Sequence, residues 1–222
     1  MSSLQKGILV VVSGFSGSGK GTIMKKLMEK YSDKYALSVS ATTRDPRPGE
    51  EHGVDYFFVT KEEFEDMIQK GALVEYAQYV SNYYGTPKAY VEEQLSAGKS
   101  VILEIEIQGA LKIKEQFPDT LLLFVTAPSA EELKNRLTGR GTETPEVIAA
   151  RLSRAVEESQ GMEEYDYLVI NDKIDETVDL VDTIIEGQKN QNTEGFSNLS
   201  LSSNINFVNK LREELSGFSK GE

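Results

Sequence analysis

Two hydrophobic patterns alternate along this chain of 222 residues. Predominantly apolar, β-rich runs stand at Ile8–Val12, Tyr35–Val39, Val101–Ile107, Leu121–Val125 and Tyr167–Ile170. Between most of them apolar residues recur at helical spacing, which predicts helices over Thr22–Tyr31, Ala110–Phe117, Ala130–Leu137, Glu146–Glu164 and Asp175–Gln188. Strands apolar on both faces, separated by helices, predict an α/β fold: a parallel sheet with helices on both sides. From Ser40 to about Gly98 the rhythm changes. Short half-alternating strands (Tyr56–Val59, Leu73–Val80) mix there with turns, aromatic residues and helices near Lys61–Gln69 and Pro87–Ala97. This stretch, residues 40–98, reads as a small mixed α+β lobe inserted into a core made of residues 1–39 and 99–188.

The pattern shifts again near residue 189. Lys189–Asn204 is mostly Asn, Ser, Thr and Gly, which predicts a flexible linker. After it, Ile205, Val208, Leu211 and Leu215 fall at helical spacing among charged residues, as in a short amphipathic helix that needs a surface to dock on. Residues 189–222 are therefore a frayed extension, a docked helix or an oligomerisation element, and monomer and homo-oligomer both stay open.

Composition narrows the class. No apolar run approaches the roughly 18 residues of a membrane span, and Ile8–Val12 is too short for the apolar region of a signal peptide. The absence of cysteine excludes disulfides and thiolate metal sites and fits the cytoplasm. A net charge of −12 argues against a nucleic-acid binder, which needs a broad basic face, and nothing suggests a membrane partner. An anionic ligand must be met by local clusters of Arg and Lys.

The first cluster follows the first strand. Residues 14–22 read Gly-Phe-Ser-Gly-Ser-Gly-Lys-Gly-Thr and run into a helical pattern at Ile23, Met24, Leu27 and Met28. Glycines let backbone N–H groups turn inward, a helix N-terminus adds positive potential, and Lys20 reaches outer phosphates: the arrangement of a phosphate-binding P-loop. Gly14, Ser16, Gly17, Ser18, Gly19, Lys20, Gly21 and Thr22 are the expected ATP contacts. The pattern departs at Gly21, where a hydroxyl residue is usual; the hydroxyl comes one place later, at Thr22. A plain Gly/Ser turn is the bland alternative.

A second cluster lies in residues 38–59. Arg44 and Arg47 sit three apart in a loop stiffened by Pro46 and Pro48, so two guanidinium forks are available to one phosphate. Charge alone also allows two surface arginines offsetting Asp45, Glu50 and Glu51. The wording of the segment is more specific. Ser-x-Ser-x-Thr-Thr-Arg-x-Pro-Arg-x-Gly-Glu followed by Gly-x-Asp-Tyr-x-Phe-Val resembles the GMP-binding segment of guanylate kinases. Glu75-Tyr-Ala, Asn82-Tyr-Tyr-Gly-Thr86, Ile105-Glu-Ile-Gln-Gly109 and Arg136-Leu-Thr-Gly-Arg-Gly-Thr-Glu-Thr144 follow in that family's order. The resemblance runs from about Ile8 to Gly187 and leaves out the last part of the chain.

The resemblance implies a parallel P-loop kinase sheet, the lobe at 40–98 as the GMP-binding part, and a helical lid over about residues 136–154. It implies ATP with Mg²⁺, and GMP or dGMP as acceptor. Arg44, Arg47, Tyr56 and Tyr84 would hold the acceptor phosphate, while Ser40, Glu75 and Thr86 would read guanine. A carboxylate at Glu75 suits guanine because it accepts from both N1–H and the 2-amino group. Without the family, Glu75 reads as an ordinary polar residue on a half-buried strand. Glu104 and Glu106, two apart in an apolar run, are expected on one strand face. By resemblance Glu104 stands near the metal and Glu106 on the guanine or ribose side, although the family usually has Asp at the second position.

Arg136 precedes a Gly-rich hinge, Thr138–Thr142, that contains Arg140, and Arg151 follows on the next helix; by resemblance all three close over ATP as charge develops. Each singly also suits a surface pair with Glu132 or Glu143. Asn171 resembles the segment lining the adenine pocket, and Thr22 or Glu104 would be nearest to Mg²⁺. His52, the sole histidine, sits in a charged turn and is expected to be solvated. The reading is transfer of phosphate from ATP to GMP, with Lys20, Arg44, Arg136, Arg140 and Arg151 catalytic. The rivals are a non-catalytic guanylate-kinase-like binding module, disfavoured by Lys20 and the lid arginines, and a kinase for another base. The Gly-Lys-Gly-Thr spelling resembles adenylate kinases, whereas Glu75 and Tyr83-Tyr-Gly speak for guanine.

Overall fold

Strand β1 (Leu9–Gly14) is buried almost along its whole length, and its side chains alternate between two cores: Leu9 and Val11 enter one, Val10 and Val12 the other. The computed structural model describes residues 5–79, 81–139 and 144–219. In it β1 lies at the centre of an all-parallel sheet ordered β2-β7-β1-β8-β9, with β2 Tyr35–Leu37, β7 Ser100–Glu104, β8 Leu121–Thr126 and β9 Tyr167–Ile170. Helices α1 (Lys20–Lys30) and α7 (Ile174–Lys189) cover one face through Ile23, Leu27, Val181 and Ile184, all fully buried. Helices α4 (Ile107–Gln116), α5 (Ala130–Thr138) and α6 (Pro145–Ser159) cover the other, around Phe15, Phe124 and Leu133. This is the doubly covered parallel sheet that the uninterrupted apolar strands predict.

A second sheet, ordered β4-β3-β6-β5, comes from residues between β2 and β7: β3 Ala41–Thr42, β4 Phe57–Phe58, β5 Leu73–Tyr79 and β6 Asn82–Pro87. It is mixed, with β3 parallel to β4 and antiparallel to β6, and β5 antiparallel to β6. Helices α2 (Lys61–Gln69) and α3 (Lys88–Ser96) belong to the same stretch. A capping box fixes the start of α2: Thr60 Oγ1 accepts from Glu63 N–H, and the Glu63 carboxylate accepts from Thr60 N–H. Neither β3 nor β6 stands out in the hydrophobic pattern, because β3 is two residues long and β6 is half exposed along its first part. Val80, expected at the end of a strand, lies outside the described residues.

Two expectations change. The apolar run Val101–Ile107 is not one strand: β7 ends at Glu104, and Glu106 is the residue just before α4. Glu104 and Glu106 therefore do not share a strand face. Ser13 Oγ donates to Ile105 O at 2.7 Å, fixing the turn between them against the end of β1. Likewise the helix expected over Glu146–Glu164 stops at Ser159 and continues as a separate 3-10 turn at Met162–Glu164.

The segment expected to be a flexible linker is folded. Ser200 and Ser203 hydroxyls donate to Ser197 O at 2.8 and 2.7 Å, Asn204 Nδ2 donates to Asn198 O at 2.8 Å, and Leu201 is buried. The chain then enters α8 (Ile205–Ser219), which packs on α6 and α5 with Val208, Leu211 and Leu215 inside the core. Polar contacts fix its register. Arg212 donates to Ser159 O through Nη2 (2.6 Å) and Nε (3.1 Å), so it caps the end of α6, and Glu214 accepts from Ala130 N–H at the start of α5. Of the readings open for the tail, the docked helix is the one realised. Replacing Leu211 by Ala should lower stability by about 2–5 kcal/mol in urea unfolding, whereas a frayed helix would register within about 0.5 kcal/mol.

Candidate active site

The loop between β1 and α1 is pressed against the rest of the sheet. A Cβ on Gly14 would lie 2.0 Å from Val125 O on β8, and one on Gly19 would lie 2.4 Å from Asn171 Nδ2. Gly14 and Gly19 both have positive φ, 149° and 88°. Only glycine meets both demands. Asn171, just past β9, is buried and donates from Nδ2 to Ser18 O at 2.8 Å. The loop is thus held from beneath by a side chain and from the side by a strand. Lys20 Nζ folds back over it onto Gly14 O (2.5 Å) and Phe15 O (3.2 Å). No side chain caps α1, so its first-turn N–H groups are left for the loop and whatever binds there. Ser18 Oγ is buried and has no hydrogen-bond partner among the described residues. An open set of donors around a lysine is a cradle for a polyphosphate.

Two arginines approach this cradle from the helices beyond β8. Arg151 on α6 donates from Nη1 to Ser16 Oγ at 2.6 Å. Arg136 on α5 donates from Nη2 to Asn171 O at 3.0 Å and from Nε to Glu132 at 2.7 Å, one helical turn back. Its surface pairing with Glu132 and its approach to the loop coexist. Arg140 and the rest of the hinge through Glu143 lie outside the described residues.

On the other side, Arg44 stands beside two aromatic rings, 5.5 Å from the centre of Tyr56 and 5.9 Å from that of Phe58. The Tyr56 and Tyr84 rings are 6.2 Å apart, and the Tyr84 hydroxyl also bonds to Arg44. Arg44 Nη2 donates to both carboxylate oxygens of Glu50 at 2.9 Å, while Nη1 donates to Asp45 O at 2.6 Å. The Glu50 carboxyl is held below the ordinary range, first by the Arg47 backbone N–H and then by Arg44. Arg47 is exposed, and its backbone N–H donates to Glu50 Oε2 at 2.7 Å. A phosphate arriving at Arg44 must share or displace Glu50, a residue that charge bookkeeping treats as a simple counter-ion. On β5 and β6, Thr86 Oγ1 donates to Glu75 at 2.9 Å, and burial pushes the Glu75 carboxyl above its usual 4.5 despite Thr86 and Lys112.

Between the two groups lies a cleft of about 710 Å³ at the carboxyl ends of β1 and β7. Gly14, Ser16, Lys20 and Arg151 line one side, Ser40, Asp55 and Tyr56 the other, with Glu104 and Glu106 between. Although they leave the strand separately, both glutamates reach the same space. Arg154 and Glu158 also line it. Sequence reasoning missed them, yet with Arg151 they are spaced for one face of α6, a signal the helical pattern already holds. His52 is exposed and accepts from Phe58 N–H through Nδ1, a structural contact.

The family model described as guanylate kinase matches residues 6–188. The chain belongs to the guanylate kinase family. It is 56% identical over 184 residues to the guanylate kinase of Oceanobacillus iheyensis, covering 83% of this chain and 89% of that protein. Against the guanylate kinase of Lactococcus lactis subsp. lactis it is 53% identical over the same coverage. The crystal structure of guanylate kinase from Anaplasma phagocytophilum superposes with a TM-score of 0.64 at 34% identity, over 83% of this chain and 87% of that one. The enzyme is thus a nucleoside monophosphate kinase of P-loop fold. Its match ends where α7 ends, so α8 lies outside the family model.

The departure at position 21 is not steric. A Cβ on Gly21 would meet nothing within 4 Å. Thermal unfolding should therefore separate two glycines of one loop: Gly21→Ala neutral or stabilising by up to about 1 kcal/mol, Gly14→Ala destabilising by about 1–3 kcal/mol.

Proposed function

We propose that this enzyme transfers the γ-phosphoryl group of ATP to the phosphate of GMP, giving ADP and GDP. The observation that supports this reading most directly is the single cleft with the phosphate cradle on one wall and Ser40 and Tyr56 on the other. An acceptor phosphate oxygen forms the new bond to the γ-phosphorus as the bond to the β-phosphate oxygen breaks. The acceptor is already an anion at neutral pH, so no general base is required. The chain's task is positioning and charge neutralisation. Residues 14–22, with Lys20 reaching across the loop, hold the donor phosphates. Arg44, Tyr56 and Tyr84, clustered on the second sheet, hold the acceptor phosphate once Glu50 yields, and Arg47 adds charge from the same loop. Glu75, Thr86 and Ser40 read the base. Arg136 and Arg151, already touching the donor loop or its support, stabilise charge developing on the transferred group, with Arg140 on the hinge between them. Asn171 acts through the loop it holds.

Mg²⁺ retains several waters and is held by one or two carboxylates together with substrate phosphates. Glu104 in the cleft would be such a carboxylate, and Thr22 in the first turn of α1 is the alternative oxygen donor. Among the described residues there is no group of three or more His, Cys, Asp or Glu that could hold a metal ion. When bound it neutralises charge on the donor phosphates. Among the described residues, no helix is long and apolar enough to cross a membrane. The substrates this reading names are cytoplasmic metabolites, and the cytoplasm is the location it implies.

A coupled assay of ADP formation tests the assignment. GMP should exceed AMP as acceptor by about 10⁴-fold in kcat/KM, because the base-reading groups would be left unpaired. Lys20→Met should lower kcat by about 10²- to 10³-fold; near-full activity in that variant would overturn the mechanism. The pH dependence tests Glu75 separately. Its raised pKa means that the carboxylate begins to protonate above pH 4.5, replacing an acceptor by a donor facing the guanine N–H groups. KM for GMP should rise as the pH falls through that range, and Glu75→Gln should remove this limb of the profile.

A further inference from the structure

Arg154 is the residue of the cleft that neither the phosphate cradle nor the acceptor cluster accounts for. Its guanidinium leaves α6 and donates from Nη2 to Glu106 Oε2 at 2.5 Å and from Nε to Glu158 Oε1 at 3.1 Å. Glu106 belongs to a different element. It precedes α4 in an extended conformation and does not cap its own helix. A short Asp, Asn, Ser or Thr at such a position accepts from the helix's own first-turn N–H groups, whereas Glu is a poor cap. The extra methylene releases the carboxylate from α4 and lets it reach α6. Three residues back on α6, Arg151 holds Ser16 of the donor loop. One helix face therefore holds both the donor loop, through Arg151, and the floor between the two sides of the cleft, through Arg154 and Glu106. Glu158 senses the same space: burial raises its carboxyl pKa and Glu106 adds to the rise, opposed by Arg154 and Lys20.

Stability does not explain the pair. The Arg154 and Glu106 side chains are 52% and 69% exposed, and ion pairs that open to water add little to folding. Their geometry instead joins Glu106, at the start of α4, to the α6 face that also carries Arg151. We propose that Arg154 is a positioning residue which, through Glu106, couples occupancy of the acceptor side of the cleft to the grip of α6 on the donor loop. This rests on the reading of the cleft as a two-nucleotide site.

The test is a thermodynamic linkage measured without turnover, using GMP and the non-hydrolysable ATP analogue AMP-PNP in isothermal titration calorimetry. In the unmodified enzyme AMP-PNP should tighten GMP binding by about fivefold, and GMP should tighten AMP-PNP by the same factor. In Arg154→Gln that factor should fall to about one, in Glu106→Gln likewise, and in the double variant no further. Arg154→Lys, which keeps the charge, should retain part of it. Thermal unfolding of Arg154→Gln should be unchanged, and if that variant fails to fold, Glu106→Gln carries the test. A coupling factor of one in the unmodified enzyme, or a factor that survives both substitutions, would overturn the proposal. Failure of the underlying reading looks different, because the unmodified enzyme would then not bind GMP at all.

Discussion

The structure depends first on a close approach of backbone to backbone. At Gly14 the chain passes Val125 O at a distance that admits no side chain, and at Gly19 it passes the Asn171 amide in the same way. These contacts set the height of the donor loop above the sheet. They also couple it to β8 and β9, the strands that lead into Arg136 and Asn171. A loop fixed at both ends in this manner has less entropy left to lose on binding. Lys20 and Arg151 both touch it, at Gly14 O, Phe15 O and Ser16 Oγ.

The second constraint is electrostatic. A chain with a net charge of −12 must bring two highly charged nucleotides together. It does so with cations that each have an anionic or polar partner waiting: Arg44 on Glu50, Arg136 on Glu132, Arg151 on Ser16, Arg154 on Glu106 and Glu158. Such pairs keep like charges apart and the side chains ordered. Their cost is that a ligand must exchange with a carboxylate rather than meet a free guanidinium. The pairs differ in how readily they open: Arg154 and Glu106 line the open cleft, where a released carboxylate is solvated, whereas Arg44 and Glu50 are mostly buried.

The last part of the chain shows how the same residues support opposite readings. Serine and asparagine in Lys189–Asn204 mark a flexible linker by composition, yet their side chains supply the hydrogen bonds that fold it into turns. What decides between the two is the destination of the next segment. Val208, Leu211 and Leu215 find a vacancy beside α5 and α6, and Arg212 and Glu214 satisfy backbone groups that helix ends leave open.

The sequence by itself determined what local sterics and side-chain chemistry decide. The glycines of the donor loop, the uninterrupted apolar strands and the helical spacing of α8 were legible because each follows from a single stretch of backbone. The motifs around Arg44, Glu75 and Arg136 were legible in kind through their ordered wording. Tertiary structure decided what depends on a partner far away in the chain. It split the run Val101–Ile107 at Glu104, since the turn that follows is held by Ser13 of another strand. It gave the Arg44 guanidinium and the Arg47 backbone N–H to the same Glu50 carboxylate. It turned Glu106 away from its own helix and toward Arg154, a pairing across 48 residues that no local pattern encodes. Sequence states which groups can ionise or bond; only packing settles which of them come within reach.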